Sequence, residues 1–165
     1  MRTKTLDDFK GENIIDSRDV EERIDELESE VTGWEDTKTE LEEALEDAKA
    51  APDEEGRDRV GIEEAETALQ AHIDTESDLA DLRAELKTLT DFQDNAGSRE
   101  WTSGLTFISE SYFEDYAREL AEDIGAINKD QSWPNNCIDR DQAANELKQG
   151  YSSLEFEGET YYYRD

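Results

Sequence analysis

Nine carboxylates in this 165-residue chain recur at helical spacing: Glu26, Asp36, Glu40, Glu43 and Asp47 in one stretch, Asp74, Asp78, Asp81 and Glu85 in another. Steps of three and four place such residues on one side of a helix. Carboxylates arrayed like this repel anions and attract a cationic surface, so the chemistry they offer is electrostatic recognition. Catalytic chemistry is much less well provided for. The chain has one histidine, His72, and one cysteine, Cys137, far apart in sequence. There is no glycine-rich phosphate loop, zinc spacing or nucleophile motif. Asp53-Glu54-Glu55-Gly56 lacks the alternating ligands of a calcium loop. The residues therefore predict a protein that is not an enzyme and carries no cofactor or metal. His72 reads as a polar member of a helix seam and Cys137 as a small, partly buried apolar residue.

The rest of the chain extends the same bias. Forty-seven acidic residues stand against seventeen basic ones, a formal net charge of −30. The excess is spread evenly from Val20 onward. Such a surface disfavours direct nucleic-acid binding and anionic membranes, and favours a basic protein partner. A high-salt cytoplasm also selects acidic, lysine-poor proteins, and the chain has seven Lys and ten Arg. A lone cysteine points to a reducing compartment. There is no apolar run of about 20 residues to span a membrane, and no apolar signal core at the N-terminus. These features predict a cytoplasmic protein.

The elements that must carry the carboxylates are written in a heptad pattern. Val20, Ile24, Leu27, Val31, Trp34, Lys38, Leu41, Leu45 and Ala48 alternate in steps of four and three. Ala65, Ala68, His72, Thr75, Leu79, Leu82, Leu86 and Leu89 do the same. Pro52 and Gly56 between them stop a helix. Pairing Ile24 with Leu89, and so on inward to Ala48 with Ala65, gives a constant sum of residue numbers. This is the signature of an antiparallel pair folding back beside Gly56. The polar Lys38 then falls opposite Thr75 and His72, a layer that fixes register at some cost in stability. Such a hairpin needs further cover, either from the C-terminal unit or from a second copy in a homodimer.

Ahead of the hairpin, Ile14 and Ile15 form a short apolar anchor for the hairpin base or the C-terminal unit. Asp16, Ser17 and Asp19 suit a helix start. Residues 94–104 read as a linker with Trp101 as an anchor. Beyond it, Leu105–Ile108 reads as a strand, and Ser111 with Glu114 as a capping box opening a helix that ends at Gly125. Asp139 caps a second helix. Tyr151–Phe156 and Thr160–Tyr163 form strands about a Glu157-Gly158 turn. Trp133, Tyr151, Phe156, Tyr161, Tyr162 and Tyr163 supply core aromatics. The predicted fold is α+β and mostly α: a long antiparallel helical hairpin (coiled coil) within residues 1–93, the linker, and a small β-α-α-β-β unit over 105–165.

Two stretches of that C-terminal unit resemble a known family. Glu114-Asp115-Tyr116-Ala117-Arg118-Glu119-Leu120-Ala121-Glu122-Asp123-Ile124-Gly125 is similar to the "YAEELAEDIG" segment of the ArdA-type antirestriction proteins of phages and plasmids. Cys137-Ile138-Asp139-Arg140-Asp141-Gln142-Ala143-Ala144-Asn145-Glu146-Leu147, followed by Tyr151, is similar to its "YIDWEAxARDL…DY". Cys137 stands where the family has Tyr, Arg140 replaces an aromatic, and Asn145-Glu146 replaces Arg-Asp. The resemblance covers about residues 110–165 and leaves the hairpin out. It implies an acidic mimic of the DNA duplex, acting in the host cytoplasm on a basic, nucleic-acid-binding host defence protein. The charge is of the right order. Helices of ~30 residues extend ~45 Å, where duplex DNA carries about 26 phosphates. Residues 20–93 hold 26 acids and 7 bases, a net of −19. The alternative expectation is a coiled-coil adaptor or assembly protein whose acidity is generic or halophilic.

Overall fold

The computed structural model describes residues 3–50, 58–97, 101–133 and 135–164. In chain order the elements begin with α1 (Leu6–Phe9), β1 (Ile14–Asp16), α2 (Ser17–Ala50), α3 (Asp58–Ile73), α4 (Glu76–Ala96) and α5 (Trp101–Gly104). They continue with β2 (Thr106–Ser109), α6 (Phe113–Asp123), α7 (Arg140–Lys148), β3 (Ser152–Phe156) and β4 (Glu159–Tyr163). The fold is α+β and mostly α, with long helices and one small antiparallel sheet. Two compact units result: Met1–Arg23 with Leu89–Asp165, and Ile24–Thr88.

The first unit is discontinuous in sequence, which corrects the expectation of a separate domain beginning at 105. Its sheet runs β1-β2-β4-β3, all antiparallel. β1 joins through Ile15 opposite Phe107, so the apolar anchor at Ile14 and Ile15 is an edge strand with Ile15 buried and Ile14 42% exposed. Both faces of β2 are covered. Phe107 packs against Phe92, Trp101 and Tyr163, with ring centroids 4.8, 5.6 and 5.1 Å away. Ile108, pointing the other way as strand alternation requires, clusters with Phe113 and Ala144 beneath Tyr116, Leu147 and Tyr151. Within the stretch read as a linker, α4 continues to a buried Ala96, and Trp101, expected as an anchor, is buried in α5. Phe9, on the four-residue α1, is a core residue that no periodicity announced.

Ser17 ties the start of α2 to the α5–β2 connection. Its buried Oγ donates to the Trp101 carbonyl at 2.6 Å and accepts from the Leu105 N–H at 2.7 Å. The helix start is served by Asp16, whose Oδ1 accepts the Arg18 N–H at 2.9 Å. Arg18 also binds the Asp16 carboxylate through its side chain and holds it below the usual carboxylate range. Gly104 has a left-handed backbone (φ +96°), which favours glycine there. Ser17→Ala strands a buried carbonyl and a buried N–H. It is expected to cost about 2–4 kcal/mol, read as a lower urea midpoint.

The C-terminal elements follow the predicted order β-α-α-β-β, with local corrections. Ser109, not Ser111, is the capping side chain. It accepts from the Tyr112 N–H and starts a 3₁₀ turn, while Ser111 Oγ donates to Glu159. Asp139 caps α7 as predicted, accepting from the Gln142 N–H at 3.0 Å. Glu157 (φ 49°) and Gly158 (φ 84°) form the two-residue hairpin turn, the left-handed pair its geometry demands. Among the aromatics assigned to the core, Trp133 is instead 77% exposed. Cys137 is exposed too, on a 3₁₀ turn.

Tyr161, fully buried, donates its hydroxyl to the Glu12 carbonyl at 3.0 Å. Burial pushes its pKa up to about 12. The unfolded chain loses this proton near pH 10. Its contribution is therefore intact below pH 10 and declines as pH rises from 10 to 12. The slope is about 1.4 kcal/mol per pH unit, and Tyr161→Phe should remove that share in urea titrations at pH 8 and 11.5.

In the second unit the described parts of α2, α3 and α4 run as an antiparallel pairing. Trp34 meets His72 and Thr75, and farther along α2 Leu45 shares a groove with Glu63, Thr67 and Gln70. The turn around Pro52 and Gly56 lies outside the described residues. From Val31 to Ala48 the shielded positions of α2 are Val31, Trp34, Lys38, Leu41, Leu45 and Ala48, with every residue between them exposed. That is the heptad seam, its polar member included. The return strand of the hairpin differs from the expectation: it is two helices, interrupted at Asp74 and Thr75. In α3 the shielded set is Ile62, Ala65, Leu69, His72 and Ile73, so Leu69 replaces Ala68, which is exposed.

A polar clamp holds the interruption. Trp34 Nε1 donates to Thr75 Oγ1 at 2.9 Å, and Thr75 Oγ1 donates to the His72 carbonyl at 2.7 Å. His72 Nε2 lies 2.9 Å from the Trp34 carbonyl. A carbonyl only accepts, so Nε2 carries the proton. The two rings stack with centroids 4.4 Å apart. The polar layer predicted around Lys38 is thus centred on Trp34, with Lys38 Nζ 5.8 Å from the indole centroid. Trp34→Ala is expected to destabilise this unit by about 2 kcal/mol. Faster hydrogen exchange over residues 72–79 would report it.

Candidate functional site: the acidic face of the hairpin

Asp36 follows Trp34 by two residues, about 200° round the helix, so it lies opposite the apolar seam. Glu40, Glu43 and Asp47 continue that line in steps of four, three and four, about 5 Å apart along the axis. All four are exposed. Among the described residues none of the four takes part in an ion pair. Neighbouring carboxylates at such spacing repel and weaken a helix slightly. The row therefore costs the hairpin stability.

The other predicted residues divide. Asp78 and Asp81 are exposed on α4, and Glu85 is half-buried there. Each precedes a seam leucine or its neighbour, which places this line beside the seam and not opposite it. Glu26 is half-buried for the same reason, next to the buried Leu27. Asp74 falls in the helix interruption, where its Oδ1 accepts from Gln70 Nε2 at 2.9 Å. The structure thus brings four of the nine into one open row, leaves two exposed on α4, and engages or shields three.

Sequence reasoning passed over further exposed acids: Glu28, Glu42 and Glu46 on α2, and Glu63, Glu64 and Glu66 on α3. A count of every non-seam carboxylate, in place of one chosen line, finds them. Few cations offset the field. Lys38 Nζ sits 4.0 Å from Glu42, and Arg83 pairs with Glu35. A groove of about 620 Å³ between α2 and α3 has Leu45, Leu69 and Ile73 in its lining and Glu63, Glu66 and Asp74 beside them. It depends on Leu69, the position the heptad reading assigned to Ala68.

Among the described residues no group of three His, Cys, Asp or Glu is placed to hold a metal ion. No described helix is long and apolar enough to cross a membrane. Compared with protein-family models, curated proteins and solved structures, the chain finds no match.

Proposed function

We propose that this protein is a non-catalytic, stoichiometric inhibitor that offers carboxylates in place of duplex phosphates to the cationic cleft of a nucleic-acid-binding host defence protein, in the host cytoplasm. The open row Asp36, Glu40, Glu43 and Asp47 carries this reading, since it holds uncompensated negative charge along one straight face. A cleft built for phosphates would release counterions to such a row as it does to DNA. The resemblance of residues 114–125 and 137–147 to antirestriction proteins supports the same reading. The test is affinity capture from host lysate at low salt. Captured proteins should possess a nucleic-acid cleft, be released steeply between about 50 and 200 mM salt, and be displaced by duplex DNA. Partners lacking such a cleft end the proposal.

A second reading has its own observation. Leu41, Leu45, Ala48, Ile62, Ala65 and Leu69 are all only half-buried, so the seam retains apolar surface for another helix. On this reading the protein is a coiled-coil adaptor whose acidity is generic or halophilic. Charge reversal of the four-residue row would then leave partner capture intact, and replacing Trp34 or Leu82 would abolish it.

A further inference from the structure

The groove between α2 and α3 combines an apolar floor with an acidic rim. Leu45 from α2 and Leu69 and Ile73 from α3 are each half-buried in it. Glu63, Glu66 and Asp74 line it and are exposed. From Glu63 to Asp74 the groove follows about 16 Å of helix, roughly three turns.

The rim charge is not offset locally. Between Glu63 and Asp74 the sequence has no lysine or arginine. Among the described residues neither Glu63 nor Glu66 forms an ion pair. Asp74 accepts from the neutral Gln70 amide, which leaves its charge in place. Such a rim repels nucleic acid, an anionic membrane and a second copy of this chain, whose net charge is −30. A simple cation would make no use of the leucine and isoleucine floor. A helix with an apolar stripe and lysine or arginine along its flanks uses both surfaces, because the stripe covers the floor while the flanks meet the carboxylates.

We propose that this groove docks a basic amphipathic helix of a partner protein. Covering Leu45, Leu69 and Ile73 supplies affinity, and the rim supplies orientation and selectivity. The groove lies beside the apolar seam, whereas Asp36, Glu40, Glu43 and Asp47 lie opposite it, so docking here requires no reading of that row. It also differs from a generic acidity, since the rim carboxylates have a specific role.

Three peptides of about 14 residues test this against the intact, ¹⁵N-labelled protein at about 150 mM salt, where loose charge attraction is screened. The first has leucines in steps of three and four with lysines between them. The second has the same composition with its leucines scattered round the helix. The third keeps the leucine stripe and carries glutamates for lysines. The first should bind saturably, at least about tenfold more tightly than either of the others, with the largest amide shifts at Leu45 and residues 63–74. Glu63→Lys combined with Glu66→Lys should weaken it at least about tenfold. Ala71→Lys, at an exposed position in the groove lining, should do the same without touching a buried residue. Equal binding of the scattered peptide, no saturable binding of the first, largest shifts along Asp36, Glu40 and Glu43, or undiminished affinity in a folded Ala71→Lys variant would each overturn the proposal.

Discussion

Neutralising the row as Asp36→Asn, Glu40→Gln, Glu43→Gln and Asp47→Asn is expected to weaken binding to a captured, DNA-displaceable partner by two to three orders of magnitude. Charge pairs that meet across an interface are worth about 1 kcal/mol or more each when they lose solvent, and tenfold in affinity is 1.4 kcal/mol. The logarithmic salt slope should shrink by about four, near one per charge removed. Stability should move the opposite way. The four carboxylates are neighbours at three- and four-residue spacing on an exposed face, and relieving their repulsion returns a few tenths of a kcal/mol per pair. Weaker binding with an unchanged or higher melting temperature separates recognition from folding. An affinity altered less than tenfold would falsify the electrostatic reading.

Phe92→Ala should produce the largest loss of stability, about 3–5 kcal/mol. The ring is buried, with centroids of Phe156, Phe107 and Trp101 at 4.4, 4.8 and 5.7 Å. Truncation leaves a cavity with rigid aromatic walls that cannot collapse. Domains of this size are stable by roughly 5–15 kcal/mol, so the variant should show a markedly reduced urea midpoint and altered tryptophan fluorescence from Trp101. Trp133→Ala is the control. That side chain is 77% exposed, and its loss should change stability by no more than about 0.5 kcal/mol.

Much of this architecture was legible because periodicity is a local property. The α2 seam could be read residue by residue, Lys38 included, since one uninterrupted helix keeps one phase. The α3 seam could not: Ala68 and Leu69 both fit a heptad, and only the exposure of Ala68 beside a half-buried Leu69 decides between them. Phe9 gave no sign of itself, and the helix that holds the anchor Trp101 gave none either, because each sits on a four-residue helix, too short to display a period. The pairing of β1 with β2 was out of reach for a different reason. Nothing near Ile15 specifies that its neighbour is Phe107. The acidic row was legible as a line but not as an open one, because half-burial of Glu26 and Glu85 depends on their positions beside the seam.

The joining of Met1–Arg23 to Leu89–Asp165 has a consequence for how the chain reaches its native state. The hydrogen bond between Leu105 and Ser17 spans 88 residues, and that between Tyr161 and Glu12 spans 149. Closing loops of that length is entropically expensive and slow, whereas helices assemble within microseconds. Rapid pairing of the intervening helices would draw Val20 and Leu89 toward each other and shorten the gap that β1 must bridge. The sheet would then be the last element to consolidate, and a ribosome would have to release the chain through Ser109 before its edge strand found a neighbour.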